Sequence, residues 1–186
     1  MTISNVLAVN RLLLRPYLAH ARCVIDATVG NGHDSAFVLH HAPHLQYLFC
    51  CDIQAQAMES SQRKLAAIDT PAQIYRYEMN HAYVLEDFPL AVDVILFNLG
   101  YLPGGSHALH TRTEDTLRAC TAGLQALRRG GVLSVVSYPG TAAGAEEDRA
   151  LHAWAQALPQ QKWHVARVRM PNQIHQPPCL LFIERR

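Results

Sequence analysis

No stretch of this chain approaches the roughly 18 consecutive apolar residues that a membrane span requires, so no membrane-embedded segment is expected. The opening residues, Met1-Thr2-Ile3-Ser4-Asn5, lack the basic-then-apolar layout of a secretory signal, and a cytoplasmic location is expected. The five cysteines, Cys23, Cys50, Cys51, Cys120 and Cys179, form no CxxC pair, and four of them lie in three strand-like apolar runs. That pattern argues against a dithiol redox motif and for reduced, buried thiols. Internal repeats, low-complexity stretches and linker-like boundaries are also missing. This leaves no basis for a repeat array and predicts one domain over residues 1–186, with residues 1–22 as an N-terminal helical extension.

What is present suits a globular domain. The chain has 186 residues, 49% of them apolar, enough for a sizeable core without disulfides or metal. The net charge of +1 hides an uneven distribution. Residues 1–22 carry Arg11, Arg15 and Arg22 and no acid; residues 23–148 carry 7 basic and 14 acidic residues; residues 149–186 carry 6 basic and 1 acidic. Basic ends around an acidic middle fit nucleic-acid contact through the ends, or equally an ordinary solvated surface.

Apolar strand-like runs alternate with helix-like segments. The strand candidates are Cys23 to Ala27, Tyr47 to Cys51, Ile74 to Tyr77, Val92 to Phe97, Val132 to Val136, His164 to Val168 and Cys179 to Ile183. Mostly continuous apolar runs suit strands covered on both faces. Helices are predicted over 5–19, 34–41, 54–68, 113–128 and 145–158. Gly130-Gly131 is expected to stop the fourth of these helices, and Glu146, Glu147 and Asp148 to occupy the first turn of the fifth. The alternation means an α/β fold with a mainly parallel seven-stranded sheet, right-handed crossovers and helices on both faces. Met170 to Pro178 is too short for a helical crossover, so the last two strands should pair antiparallel with their neighbour.

The strongest local signal is Val24-Ile25-Asp26-Ala27-Thr28-Val29-Gly30-Asn31-Gly32-His33-Asp34-Ser35, a strand, a glycine-bearing turn and a helix start. Gly30 and Gly32 permit positive φ and close approach of a ligand to the backbone, or simply a strand-helix turn. Asp52 favours the first reading. It stands 22 residues after Gly30, at the end of the next strand, where a carboxylate can accept from both hydroxyls of a ribose. Together they describe an adenosine-nucleoside site. A dinucleotide fold usually shows G-x-G-x-x-G, so that a pyrophosphate can sit on the helix N-terminus. Here Ser35 replaces the third glycine and Asp34 stands at that terminus, where it would repel phosphate. S-adenosylmethionine carries no phosphate, only a sulfonium and an ammonium, and Asp26 and Asp34 are placed to meet cationic groups. The electrostatics therefore favour S-adenosylmethionine over a nicotinamide cofactor.

A second signal, Asn98-Leu99-Gly100-Tyr101-Leu102-Pro103-Gly104-Gly105, follows the fourth strand. Ligands of open α/β sheets bind outside the carboxyl ends of the strands, and this loop lies there. It is similar to the Asn-Pro-Pro-Tyr motif of amino-group methyltransferases. A nitrogen nucleophile needs acceptors that hold its N–H bonds and aim its lone pair at the methyl. The Asn98 side chain and the Leu99 carbonyl could serve, and Tyr101 could stack on a base. The alternative is a Gly-Pro loop with a helix-capping asparagine. Asn80-His81 flanks the adenine or caps the next helix. Tyr138-Pro139-Gly140 lines the substrate pocket or forms a turn. The cluster His40-His41-x-x-His44 lacks a matching second ligand pair, and no metal is expected.

With these motifs in place, the chain resembles a family of small bacterial methyltransferases first catalogued as ribosomal-RNA methylases. Its members are now associated with the amine of 5-aminomethyl-(2-thio)uridine at the tRNA wobble position. The matching stretches are Asp26 to Asp34, Asp52-Ile53-Gln54, Phe97 to Gly105, Thr111 to Thr116, and Asn172-Gln173 with Pro177-Pro178. The resemblance implies a Rossmann-like class I methyltransferase fold, S-adenosylmethionine at Asn31, Asp34, Asp52, Gln54 and His81, tRNA as partner, and a homodimer. Two stretches depart from the family pattern: Ser106-His107 replaces Asp-Lys, and Tyr138-Pro139-Gly140-Thr141 replaces Tyr-His-Gly-His. Both lie on the substrate side.

The expected cofactor contacts are thus Asp26, Thr28, Gly30, Asn31, Gly32, Asp34, Asp52, Gln54, Asn80, His81 and Asn98. Leu99, Gly100, Tyr101, Pro103 and Tyr138 are expected to meet the substrate, and Asn98 and Tyr101 to carry the chemistry. The alternatives are methylation of ribosomal RNA or of a small-molecule amine, a nucleotide-binding oxidoreductase, and a binding module that has lost catalysis. No cysteine lies in the Asn98 loop, which disfavours C5-methylation through a cysteine adduct.

Overall fold

A computed structural model of the chain describes residues 3–100 and 112–186. Its elements run α1 (Val6–Leu18), β1 (Cys23–Asp26), α2 (His33–His41), β2 (Tyr47–Asp52), α3 (Ala55–Leu65), β3 (Gln73–Glu78), α4 (His81–Leu85), β4 (Val92–Asn98), α5 (Thr113–Ala126), β5 (Leu127–Ser137), α6 (Ala142–Gln156), β6 (Trp163–Val168) and β7 (Cys179–Arg185). The strands form one seven-stranded sheet in the order β3-β2-β1-β4-β5-β7-β6. β1 pairs parallel with β2 and β4, β2 with β3, and β4 with β5. β7 runs antiparallel to both of its neighbours, β5 and β6, as the short connection demanded. The strand order reverses between β1 and β4, and ligands of open α/β sheets bind at the carboxyl rim beside such a switch point.

Successive strand residues face opposite sides, and each side is covered. Ile25, Phe49, Cys51, Ile95, Phe97, Leu133 and Val135 pack with Ala82, Leu85, Cys120, Leu124, Leu151 and Ala155 of α4, α5 and α6. Val24, Leu48, Cys50, Val94, Leu96 and Val132 pack with Leu14, Leu18, Val38, Met58 and Leu65 of α1, α2 and α3. The N-terminal helix is therefore part of the core; its Val6, Leu14 and Leu18 are buried. All five cysteines are free and buried, as expected; Cys23, Cys51 and Cys120 lie on one face of the sheet and Cys50 on the other.

Two expected helix boundaries move. Helix α5 ends at Ala126, and Leu127 is already extended (φ −62°, ψ 136°), so Gly130-Gly131 is not its stop. The pair instead lies inside β5, where Gly130 takes φ +73° and the β4–β5 register shifts between Val92 and Val94. Helix α6 begins at Ala142, capped by the Thr141 side chain, which accepts from the Gly144 N–H. Glu146, Glu147 and Asp148 consequently fall after the first turn. Two of them turn inward: Glu147 accepts from the Thr116 hydroxyl, and Asp148 from the Ser137 hydroxyl and the Arg167 guanidinium. Among the described residues, no helix is long and apolar enough to cross a membrane.

Candidate active site

The carboxyl rim gathers most of the expected residues. Asp26 ends β1 and is 1% exposed; its carboxylate accepts from the Ser35 hydroxyl at 2.6 Å and the Thr28 N–H at 3.3 Å. Burial and, next, the negative charge of Asp34 push its pKa up to about 7. Asp26 thus supports the turn from beneath, and Asp34, in the first turn of α2, is the acid that reaches the surface. The Asp34 carboxylate accepts from the Asn98 side-chain amide at 2.9 Å and lies 3.5 Å from the Arg11 guanidinium of α1.

The glycines behave differently from each other. Gly30 has φ +48°, and its N–H donates to Asp52 at 2.9 Å. Gly32 has φ +75° and caps α2, but a side chain there would meet the Ser61 backbone at 3.1 Å. The close approach expected at Gly32 is therefore that of α3, not of a ligand. Asn31 also faces α3, accepting from the Ser60 hydroxyl at 2.9 Å. Asp52 accepts the Gly30 N–H on one oxygen and the Gln54 N–H on the other, at 3.1 Å. Burial raises its pKa, against these backbone bonds, which lower it. A carboxylate has about four acceptor directions, and with the Ile53 N–H as a third backbone donor capacity remains for a ribose hydroxyl.

Asn80 caps α4: its side chain accepts from the Ala82 N–H at 2.9 Å and donates to Asp115 at 2.9 Å. The capping reading of that residue is realised. His81 is 6% exposed, edge-on to Phe97. Burial lowers its pKa to about 4, so the ring is neutral at physiological pH. Its Nε2 is enclosed and has no partner among the described residues.

Asn98 ends β4 at the centre of the rim. Its backbone N–H donates to the Thr28 hydroxyl at 2.7 Å, which ties the Asn98 segment to the glycine turn. Its side-chain carbonyl accepts from the Tyr138 hydroxyl at 2.6 Å, just after β5. Burial, and then the charge of Asp34, push the Tyr138 phenol up to about 12, so it remains a donor. Leu99 is 1% exposed; its side chain enters the core, and only its backbone can face a substrate. Gly100 is exposed, at φ +157°. Tyr101 and Pro103, and the departure at Ser106-His107, lie outside the described residues.

Sequence reasoning missed three features here. The Arg11–Asp34 contact joins positions 23 apart, and the Tyr138–Asn98 bond positions 40 apart, with no local pattern to announce them. Ile53 and Met79, exposed apolar residues beside Asp52 and after β3, follow the strand ends directly and could have been found from that position. Among the described residues, no three His, Cys, Asp or Glu side chains are grouped to hold a metal.

A doubly wound sheet with an antiparallel final strand, and a carboxyl rim built from a glycine turn, an acid at the end of β2 and an asparagine at the end of β4, is the architecture of a class I methyltransferase. The family model described as "Putative rRNA methylase" matches residues 48–184, and the chain belongs to that family. The chain is 34% identical over 173 residues to a chloroplastic tRNA (mnm(5)s(2)U34)-methyltransferase of Arabidopsis thaliana, covering 88% of this chain and 63% of that protein. Among solved structures, it is similar to a "putative rRNA-methylase" from Clostridium thermocellum (31% identity, TM-score 0.93, all of both chains). It is also similar to a "putative methyltransferase" from Streptococcus mutans in complex with SAH (30% identity, TM-score 0.88, all of both chains). The family resemblance read from the motifs is borne out, and the oxidoreductase alternative finds no counterpart in these relatives.

Proposed function

We propose that the protein uses S-adenosylmethionine to N-methylate the amine of 5-aminomethyl-(2-thio)uridine at the tRNA wobble position, acting as a homodimer. The observation that carries this reading is the placement of Asn98 on the rim, held beside Asp34 and one strand from the Gly30–Asp52 pair. The 34%-identical relative supports the wobble substrate.

The residues fit the cofactor. Three carboxylates, Asp26, Asp34 and Asp52, stand at the switch point, suited to a cationic nucleoside and hostile to a pyrophosphate. Asp52 would take a ribose hydroxyl, Ile53 and Met79 would flank the adenine, and Asp34 would face the positive end. When bound, the cofactor supplies an electrophilic methyl group on a sulfonium.

The chain's own residues then position the amine. A primary alkylammonium has no lone pair, so the substrate must bind as the neutral amine or shed a proton. A site next to a sulfonium disfavours a second positive charge and lowers the amine pKa. The free lone pair on the Asn98 carbonyl oxygen and the Leu99 carbonyl would accept the two N–H bonds. Held so, the amine would present its lone pair to the methyl group that the cofactor supplies, and the methylated ammonium would afterwards give up its extra proton. This is positioning rather than general-base catalysis.

The test is Asn98→Ala, assayed on tRNA carrying 5-aminomethyluridine. Turnover should fall by on the order of a hundredfold or more, with a much smaller change in cofactor affinity. Wild-type turnover should rise with pH until the bound amine is neutral. Near-normal turnover with collapsed cofactor binding would make Asn98 a cofactor contact instead.

A further inference from the structure

We propose that Tyr138 is a positioning residue for methyl transfer: with Asp34 it holds the Asn98 amide in a single orientation, and its ring seats the backbone that follows. The proposal rests on the role of Asn98 given above, and it replaces the expected role of Tyr138 as a substrate contact.

An asparagine amide has two ends of nearly equal shape, so its neighbours decide which way it faces. Asp34, as a carboxylate, can only accept, and it lies 2.9 Å from Nδ2. The NH2 end must therefore face Asp34. The carbonyl end then meets the Tyr138 hydroxyl at 2.6 Å, and that hydroxyl must donate. The opposite amide orientation would set the carbonyl oxygen against the carboxylate, acceptor on acceptor. The two bonds reinforce each other. Donation to a charged acceptor is strong, and it draws amide electron density toward Oδ1, which becomes the better acceptor for a substrate N–H.

A second contact comes from the same ring. Gly100 has φ +157°, and a side chain built there would lie 3.3 Å from Cδ2 of Tyr138. Tyr138 thus bonds the Asn98 side chain and its ring fills the space beside Gly100 that a side chain there would need. With the Asn98 N–H held by Thr28 at 2.7 Å, one side-chain N–H and one carbonyl lone pair are left unspent among the described residues. The tyrosine proton is spent in this arrangement, so toward a nucleobase the hydroxyl is left only as an acceptor.

The kinetic test is a double-mutant cycle on tRNA carrying 5-aminomethyluridine. Tyr138→Phe should lower kcat about tenfold, the size of one lost hydrogen bond, and leave KM for tRNA and cofactor affinity within about twofold. In an Asn98→Ala background it should cost nothing further. A second arm reads the amide directly: the Asn98 side-chain 15N–1H pair should be dispersed in the wild type and shifted or exchange-broadened in Tyr138→Phe. Wild-type kcat in Tyr138→Phe, an equal loss in both backgrounds, or a rise in KM alone would overturn the proposal. If the wild type is inactive on this tRNA, the substrate reading fails instead, and the amide resonances alone decide: an unchanged pair in Tyr138→Phe overturns the positioning role.

Discussion

The two rims of the sheet treat a buried carboxylate in opposite ways. At the amino rim, Asp93 is 6% exposed and accepts from the Arg22 N–H at 2.6 Å, the Cys23 N–H at 2.8 Å and the Arg128 guanidinium. Three donors, one of them cationic, surround it. At the carboxyl rim, Asp26 is 1% exposed and has one hydroxyl and one N–H, with Asp34 and Asp52 near enough to raise its pKa further. Among the described residues, the ion pair made by these acids is that of Asp34 with Arg11, at 3.5 Å and on the carboxylate oxygen that does not bond Asn98. Asp93 is compensated by the protein, which is what a structural carboxylate requires. The acids of the carboxyl rim are left short of positive charge, and a cationic cofactor would supply it.

Removing Asp93 should have the largest effect. Asp93→Ala leaves two backbone N–H groups without their acceptor, at about 1–3 kcal/mol each, so urea unfolding should show a loss of about 2–6 kcal/mol. Cofactor affinity of the folded fraction should be unchanged. Asp52→Ala should do the reverse: modest destabilisation, but cofactor affinity weaker by about 1.5–3 kcal/mol, tenfold or more in dissociation constant by calorimetry. Unchanged affinity in folded Asp52→Ala would remove this residue from the site.

A subtler effect follows from Asp26. Its folded-state pKa of about 7 lies above the ordinary carboxylate value. The folded state therefore holds this proton more tightly than the unfolded one. Stability should fall as pH rises from about 4 to about 7 and then level off. A cation arriving beside Asp26 lowers its pKa again, so cofactor binding near pH 7 should release a fraction of a proton. Calorimetry in two buffers of different ionisation enthalpy reads this directly. Asp26→Asn should flatten both effects, and identical heats in the two buffers for the wild type would contradict the account.

The smallest single effects belong to the basic ends. Arg167 is not free to meet phosphate, since it bonds Asp148 at 2.5 Å. Arg15 and Arg169 are exposed. Charge reversal at either should weaken tRNA modestly and shallow its salt dependence by about one contact, with cofactor binding untouched. A flat salt profile for the wild type would point to a small-molecule amine.

The inner strands β1, β2, β4 and β7 were legible because burial on both faces writes continuous apolar runs, and Gly30 to Asp52 because strand, turn and spacing are local; the edge strands β3 and β6 are instead exposed or half-buried. The start of β5 was not legible. Leu127-Arg128-Arg129 reads as the polar end of a helix, and only pairing with Val92 makes it a strand. The inward turn of Glu147 and Asp148 depends on Thr116, Ser137 and Arg167 in three other elements. In the site, the identity of Asn98 was legible, but the Tyr138–Asn98–Asp34 chain crosses β5, β4 and α2, and only the folded sheet brings those ends together.

The most direct test of the proposed activity is mass spectrometry of tRNA nucleosides from a strain lacking this protein. 5-Aminomethyl-(2-thio)uridine should accumulate in place of its N-methylated form, and purified protein with labelled S-adenosylmethionine should convert it back, placing the label on the amine. An unchanged nucleoside profile, with no label transferred to that tRNA by the purified protein, would contradict it.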